Sequence, residues 1–163
     1  MVREFSISAG GVTVAGATTL ISVNPPAAPN FNIEFLRYWV SQSANATSAQ
    51  QRIELITKAS VFPTLTAATP VKLKPADPNA SVITGGTAGA QATAGTNASA
   101  EGAGTATVVW DDAFNVLNGW LHVATPPETR IMPAGFAQSQ GLYFPVAPAT
   151  LTNWAFGLIF REV

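Results

Sequence analysis

The stretch that decides the fold lies near the C-terminus and reads Leu151-Thr152-Asn153-Trp154-Ala155-Phe156-Gly157-Leu158-Ile159-Phe160-Arg161-Glu162. Large apolar side chains occupy every second position of this stretch: Trp154, Phe156, Leu158 and Phe160. Because successive side chains of a β-strand point to opposite faces, the alternation predicts a strand with one wholly buried face. Burying four such side chains stabilises a fold by roughly 1.5–3 kcal/mol each, so a β core has to form around this segment.

The same alternation recurs in short segments along the chain, separated by Pro, Gly and Asn. Residues 24–30 contain three prolines, which remove backbone donors and fix φ, and they are predicted to form a loop. Pro145 interrupts another segment and indicates an edge strand or a bulge there. The predicted strands of this kind are Val2–Ser8, Val12–Val14, Thr19–Val23, Phe31–Val40 and Gly141–Val146.

Two segments leave an alternative open. In Phe31–Val40 the apolar set changes face near Phe35, which indicates either a bulge or a strand buried on both sides. Residues 48–62 begin with Ser48-x-x-Gln51, a possible helix capping box, but alternate apolar and polar residues from Ile53 onward. The alternation favours a strand over a helix for residues 48–62.

A hairpin is predicted over residues 114–123, where Asn118-Gly119 separates two apolar segments. Asn-Gly suits the two positive-φ positions of a type I′ turn. That turn places Val116 opposite Leu121 and Phe114 opposite Val123, on one apolar face, with His122 on the other face.

The fold class predicted from these segments is all-β, with eight to nine strands and no convincing helix. We expect residues 1–163 to form a single jelly-roll or β-sandwich domain with long Pro-, Gly- and Ala-rich loops. An immunoglobulin-like sandwich is the alternative, but the chain has no Cys and so no Cys–Trp–Cys pattern.

Residues 84–107 form a low-complexity tract in which twenty of 24 residues are Ala, Gly or Thr. Such small side chains bury little area, so the tract is not expected to contribute to the core. It is interpreted either as a flexible surface loop or as an extended arm that becomes ordered against a neighbouring subunit.

The charge content constrains the partners. Only 10% of residues are charged, the net charge is -1, and the eight Lys and Arg residues are scattered. No basic stripe is available for a phosphate backbone, and no apolar run is long enough to span a membrane, so neither nucleic acid nor a membrane is an expected partner. So few charges favour a surface covered by copies of the chain or by another protein over that of an isolated monomer.

The sequence contains no recognisable active site, and the chain is predicted not to be an enzyme. The single histidine, His122, has no carboxylate at ligand spacing and is interpreted as structural rather than as a metal ligand or a base. Asp111 and Asp112 are adjacent, so a strand would point them to opposite faces, and they are interpreted as caps of a turn rather than as a catalytic pair with Glu128. No catalytic, cofactor-binding or metal-binding residue is therefore predicted, and no cofactor.

The second half of the chain resembles a family of small structural proteins of tailed phages and prophages. The resemblance runs from about residue 63 to the last strand and depends on the order of several short motifs. These motifs are Thr69-Pro70-Val71-Lys72-Leu73-Lys74-Pro75-Ala76-Asp77, Gly104-Thr105, Asp112-Ala113-Phe114-Asn115-Val116-Leu117-Asn118-Gly119-Trp120, Pro126-Pro127-Glu128-Thr129-Arg130, Ala147-Pro148-Ala149-Thr150-Leu151-Thr152 and the terminal Phe160-Arg161-Glu162.

The resemblance implies a virion protein similar to capsid decoration (cement) proteins. Such a protein binds the major capsid protein on the outer capsid surface, stabilises the shell and associates with itself, with a homotrimer as the expected form. The alternative is a tail- or fibre-associated module that binds a carbohydrate or receptor, since exposed Trp and Tyr side chains can form a sugar-binding platform. Four Trp in a sandwich are more often core or subunit contacts than such a platform.

Overall fold

In the computed structural model, the chain is described over residues 3–28, 30–44, 47–59, 62–86 and 92–163. These residues form 13 strands and one short 3₁₀-helix, Pro126–Glu128. The all-β prediction is confirmed: the strands build a sandwich of two sheets, called sheet A and sheet B below. In this part of the chain, no helix has the length and hydrophobicity needed to cross a membrane.

Sheet A contains six strands, all paired antiparallel. They are β1 (Arg3–Val12), β3 (Ile33–Gln42), β6 (Val71–Lys72), β10 (Trp120–Val123), β11 (Arg130–Met132) and β13 (Trp154–Glu162). Their order is β10-β3-β13-β1-β6, and β11 pairs with β3 beside β10. The short strands β10 and β11 therefore form one edge of this sheet.

Sheet B contains seven strands. They are β2 (Thr18–Val23), β4 (Gln50–Ala59), β5 (Thr64–Ala67), β7 (Thr84–Gly85), β8 (Thr93–Ala100), β9 (Ala106–Asn115) and β12 (Gln138–Phe144). Their order is β5-β8-β2-β12-β4-β9, with β7 parallel to β8, so β9 forms one edge.

Side chains from both sheets share one core, and the segment that the sequence singles out lies at its centre. Strand β13 runs between β1 and β3, and Trp154, Phe156, Leu158 and Phe160 are all fully buried, as predicted. The indole of Trp154 packs edge-on against Phe144 of sheet B, with ring centroids 5.0 Å apart. The alternating pattern thus identified the strand of sheet A whose side chains fill the core between the two layers.

The predicted strands Val2–Ser8, Thr19–Val23, Phe31–Val40 and Gly141–Val146 are confirmed where the structure describes them, with shifted ends. The separate strand predicted over Val12–Val14 is wrong, because β1 runs on to Val12 and ends there. The face change near Phe35 is a bulge: β13 pairs Ile159 with Arg37 but Phe160 with Phe35, which leaves Leu36 as an extra residue. Residues 50–59 form strand β4 rather than a helix. Val14 is buried but lies outside β1, and Val2, Pro29 and Val61 lie outside the described residues.

Eight strands form a symmetrical pairing pattern around the core. Taken in chain order as β1, β2, β3, β4, β9, β10, β12 and β13, the first pairs with the last, the second with the seventh, the third with the sixth and the fourth with the fifth. This is the pairing of one long hairpin rolled into two layers. Strands β5 to β8 are inserted between its fourth and fifth strands.

The predicted hairpin over residues 114–123 is wrong. Strand β9 pairs with β4 in sheet B, whereas β10 pairs with β3 in sheet A, so the Asn118-Gly119 turn crosses between layers. Phe114 and Val116 are buried as expected, but Leu121 points to the outer face of sheet A and is 62% exposed. Only Gly119 of the turn has a positive φ, at 69°, so the turn is not type I′.

The low-complexity tract 84–107 is neither a loop nor an arm over most of its described length, but strand within this one chain. Strand β8 pairs with β2 and β5, and Ala94 and Thr96 are buried. Small side chains permit this close packing, because a Cβ added at Gly95 would lie 2.5 Å from the Cβ of Leu65. Backbone hydrogen bonds to β2 and β5 therefore hold β8 in place, because its small side chains bury too little area to do so. Residues 87–91 of the tract lie outside the described residues.

Candidate functional site

A cleft of about 190 Å³ opens between the two layers where the edge strands β9 and β10 face each other. Phe35, Tyr38, Leu55 and Gln140 line it from strands β3, β4 and β12 in the interior. The other lining residues come from β9, β10, β11, the 3₁₀-helix and the residue that follows β10: Val109, Trp110, His122, Ala124, Glu128 and Arg130. The cleft exists because β9 and β10 belong to different sheets and are not paired with each other.

Aromatic rings form the walls of the cleft. The imidazole of His122 lies 5.3 Å from the ring of Trp110 and 6.3 Å from the ring of Tyr38, centroid to centroid. It stacks on Trp120 at 5.9 Å with an interplanar angle of 12°. Trp110 is 43% exposed, so the indole is accessible from solvent although it lies beside the cleft.

Polar groups converge in the interior of the cleft. Arg130 is opposite Phe35 on the neighbouring strand, which points its side chain inward, and its Nε donates to Oε1 of Gln140 at 3.0 Å. The side-chain amide of the buried Gln140 in turn donates to the hydroxyl of Tyr38. Burial raises the pKa of Tyr38 well above its ordinary value, so its phenol stays protonated at neutral pH.

Two donors in this network lack acceptors. Among the residues that the structure describes, no carboxylate lies within ion-pair distance of Arg130, and no group accepts the phenol hydrogen of Tyr38. Arg130 is partly buried, and its two terminal amino groups have no protein acceptor among the described residues. The cleft therefore presents one positive charge whose remaining donors are open to a ligand.

Glu128 provides acceptors at the rim. Its carboxylate accepts hydrogen bonds from the Thr125 hydroxyl at 2.6 Å and from the Thr125 amide at 3.4 Å. These hydrogen bonds, with a smaller contribution from nearby His122, lower the pKa of Glu128. Glu128 is therefore ionised and fixed in place by the turn that precedes β11.

The candidate residues named from the sequence fall into two groups. His122 lies in the cleft as part of the aromatic wall, and Glu128 lies at its rim. Asp111 and Asp112 do point to opposite sides of a strand: Asp111 pairs with Arg52 at 2.7 Å, and Asp112 accepts from the indole nitrogen of Trp120 at 3.0 Å. Both lie within β9, so their interpretation as caps of a turn is wrong.

The structure brings together no metal centre in its described part: no group of three or more His, Asp or Glu side chains could hold an ion there. The residues that sequence reasoning missed are Tyr38, Trp110, Arg130 and Gln140. Tyr38 and Gln140 are 102 positions apart, and no local pattern connects them. The sequence near Arg130 gives no signal either, because the three-residue strand that turns its side chain inward is too short to show a pattern.

A second feature is the outer face of sheet A, which carries exposed apolar side chains. A shallow depression of about 400 Å³ lies on this face, lined by Leu36, Leu73, Val123 and Ile159 together with the charged residues Glu4 and Arg37. Leu121 and Ile131 extend the apolar surface along the edge and are 62% and 54% exposed. Apolar side chains that cluster on one face and are rimmed by charged residues are a candidate protein-contact surface.

Comparison with known proteins identified no relative: no family model, no curated protein and no solved structure matches the chain. The resemblance to tailed-phage structural proteins therefore remains a prediction from the sequence motifs.

Proposed function

We propose that this chain is a virion structural protein that decorates the outer surface of a tailed-phage capsid and stabilises the shell. The observation that carries the proposal is the outer face of sheet A, where a stiff sheet displays exposed apolar side chains. Burial of that face against a shell protein would remove apolar area from water, which is the main favourable term in protein association.

The strand order supports a virion role. We infer that the eight strands paired first with last, second with seventh, third with sixth and fourth with fifth form a jelly roll, an architecture common among viral capsid proteins and also found in lectins. Fold alone does not determine function, so the apolar face and the sequence motifs carry the rest of the proposal.

The proposal includes self-association, with a homotrimer as the expected form. The low charge density of the sequence leaves little electrostatic repulsion between copies. Oligomerisation also strengthens attachment, because several modest contacts on one shell act together through effective concentration.

The test is to mix the purified protein with capsids that lack it and to count bound copies by quantitative gel analysis after sedimentation. We expect the wild-type chain to bind in many copies and to raise the temperature at which the capsids open. Val123→Lys, on the apolar face, should abolish binding because it places a charge in the contact. The control Thr64→Lys, on the exposed edge strand of sheet B, should bind normally.

If the wild-type chain does not bind capsids, the proposal is wrong. If Val123→Lys binds as well as Thr64→Lys, the outer face of sheet A is not the contact surface.

A further inference from the structure

We propose that the cleft between β9 and β10 is a binding site for an acidic sugar residue, meaning a six-membered ring that bears one carboxylate and several hydroxyls. The inference does not rest on capsid attachment, because the cleft lies between the layers and the apolar face lies on the outside of sheet A.

The interior of the cleft selects the carboxylate. Arg130 uses Nε for Gln140, which leaves the two terminal amino groups of its guanidinium for a ligand. The hydroxyl of Tyr38 accepts from Gln140 and so directs its own hydrogen elsewhere. The two terminal amino groups of Arg130 suit a planar group with two acceptor oxygens, because a guanidinium binds a carboxylate through two parallel hydrogen bonds. Tyr38 is only 1% exposed, so its hydroxyl acts by holding Gln140, which in turn orients Arg130.

The aromatic walls select a ring. Trp110 and His122 stand side by side with centroids 5.3 Å apart, and the indole is accessible to solvent. A rigid aromatic surface packs against the C–H face of a sugar ring and loses little conformational entropy on binding.

The rim selects hydroxyls. Glu128 is exposed, is ionised and is oriented by Thr125, so it offers acceptor oxygens at the mouth of the cleft. A negative charge at the mouth and a positive charge inside distinguish the two ends of a ligand. The carboxylate enters toward Arg130, and the hydroxyl groups remain toward Glu128.

The size of the cleft limits the ligand to one ring. A volume of about 190 Å³ is smaller than the roughly 300–1,000 Å³ of pockets that enclose drug-sized molecules. The acidic ring can come from a free sugar acid or from one residue of a longer polysaccharide, since both present the same carboxylate and hydroxyls.

The experiment is calorimetric titration of the full chain with glucuronate, glucose, cyclohexanecarboxylate and an oligosaccharide that contains glucuronate. We expect glucuronate to bind about tenfold more tightly than glucose or cyclohexanecarboxylate, since each of these lacks one half of the recognition. Stronger binding of the oligosaccharide than of glucuronate would assign the site to a residue within a chain, and equal binding would assign it to the free acid.

Variants locate the site. Arg130→Gln should reduce glucuronate affinity about tenfold and leave glucose unchanged, whereas Trp110→Ala should weaken both. Tyr38→Phe keeps the buried ring but removes the hydroxyl that holds Gln140, so it loosens the orientation of Arg130 and provides a second test should Arg130→Gln fold poorly. The control Arg37→Gln removes an exposed arginine of the same strand as Tyr38 and should bind like wild type.

Three results would overturn the inference. These are no binding of glucuronate in either form, binding of cyclohexanecarboxylate as tight as that of glucuronate, or glucuronate affinity unchanged in folded Arg130→Gln and Tyr38→Phe.

Discussion

At the scale of single residues, the packing of the sandwich depends on a few positions where nothing larger fits. Gly141 lies in the middle of β12 between β2 and β4. A Cβ added there would stand 2.2 Å from the carbonyl oxygen of Ile21 and 3.1 Å from the Cα of Ser22. Both atoms belong to the backbone of the neighbouring strand, so the clash cannot be relieved by a side-chain rotation.

Gly141→Ala should therefore lower the free energy of unfolding by about 1–3 kcal/mol, as overpacking does in other cores. Gly16→Ala is the matched control, because a Cβ at Gly16 meets nothing within 4 Å. Urea denaturation of both variants measures the difference. Equal stabilities would contradict the close approach of the β2 backbone to Gly141.

A buried ion pair joins β1 and β13, the first and last strands in the chain, which are neighbours in sheet A. The guanidinium of Arg3 lies 2.5 Å from the carboxylate of Glu162, and both side chains are buried. The same carboxylate accepts from the Ser81 hydroxyl at 2.5 Å and the Val82 amide at 2.8 Å. It therefore fixes the segment that precedes β7 against the last strand.

Glu162→Gln should destabilise the protein by about 3 kcal/mol or more, because the substitution leaves Arg3 as a buried cation without a counter-charge. Arg52→Gln, which breaks the exposed pair with Asp111, should have little effect. Chemical denaturation is the measurement. A loss for Glu162→Gln no larger than that for Arg52→Gln would mean that the pair contributes nothing to stability.

At the scale of elements, β13 stabilises both layers. It pairs with β1 and β3, and its four large side chains fill the core.

A chain that stops at Leu158 loses Phe160 and Glu162, and we expect it not to accumulate in soluble form. Removal of Val163 alone leaves the core side chains in place and should be tolerated; soluble yield and thermal melting compare the two. A soluble Leu158-ended chain that melts cooperatively near the full-length temperature would contradict the central role of β13.

Strand β8 gives a second prediction at this scale. Because it pairs with β2 and β5 within the same chain, its backbone amides should be protected in hydrogen exchange on the isolated monomer. Exchange as fast as in an unfolded chain across residues 93–100 would mean that the low-complexity tract is a mobile loop after all.

What could be predicted at this scale was local, and what could not was long-range. The alternating side chains of β13 and β4 were sufficient to identify both strands, because a period of two is visible within ten residues. The Asn118-Gly119 turn identified a chain reversal, but the sequence near it does not say which sheet receives the next strand. Strand β8 was missed because it lacks large side chains, and β2 and β5 supply the contacts that hold it.

At the scale of the whole molecule, the cleft and the apolar face both follow from the crossing between β9 and β10. The crossing separates two edge strands enough to leave the cleft, and it turns Leu121 and Val123 outward. The all-β architecture could be predicted from composition and periodicity. The network of Arg130, Gln140 and Tyr38 could not, because Tyr38 lies 102 positions from Gln140 and only the fold brings them together.

The central claim is that the chain decorates a capsid, and the copy number in purified virus particles tests it most directly. Quantitative mass spectrometry of particles that contain the protein gives this number relative to the major capsid protein. The claim predicts a copy number comparable with that of the major capsid protein, since a decoration protein repeats with the shell lattice. Only a handful of copies per particle would contradict it and would place the protein in the tail or its fibres.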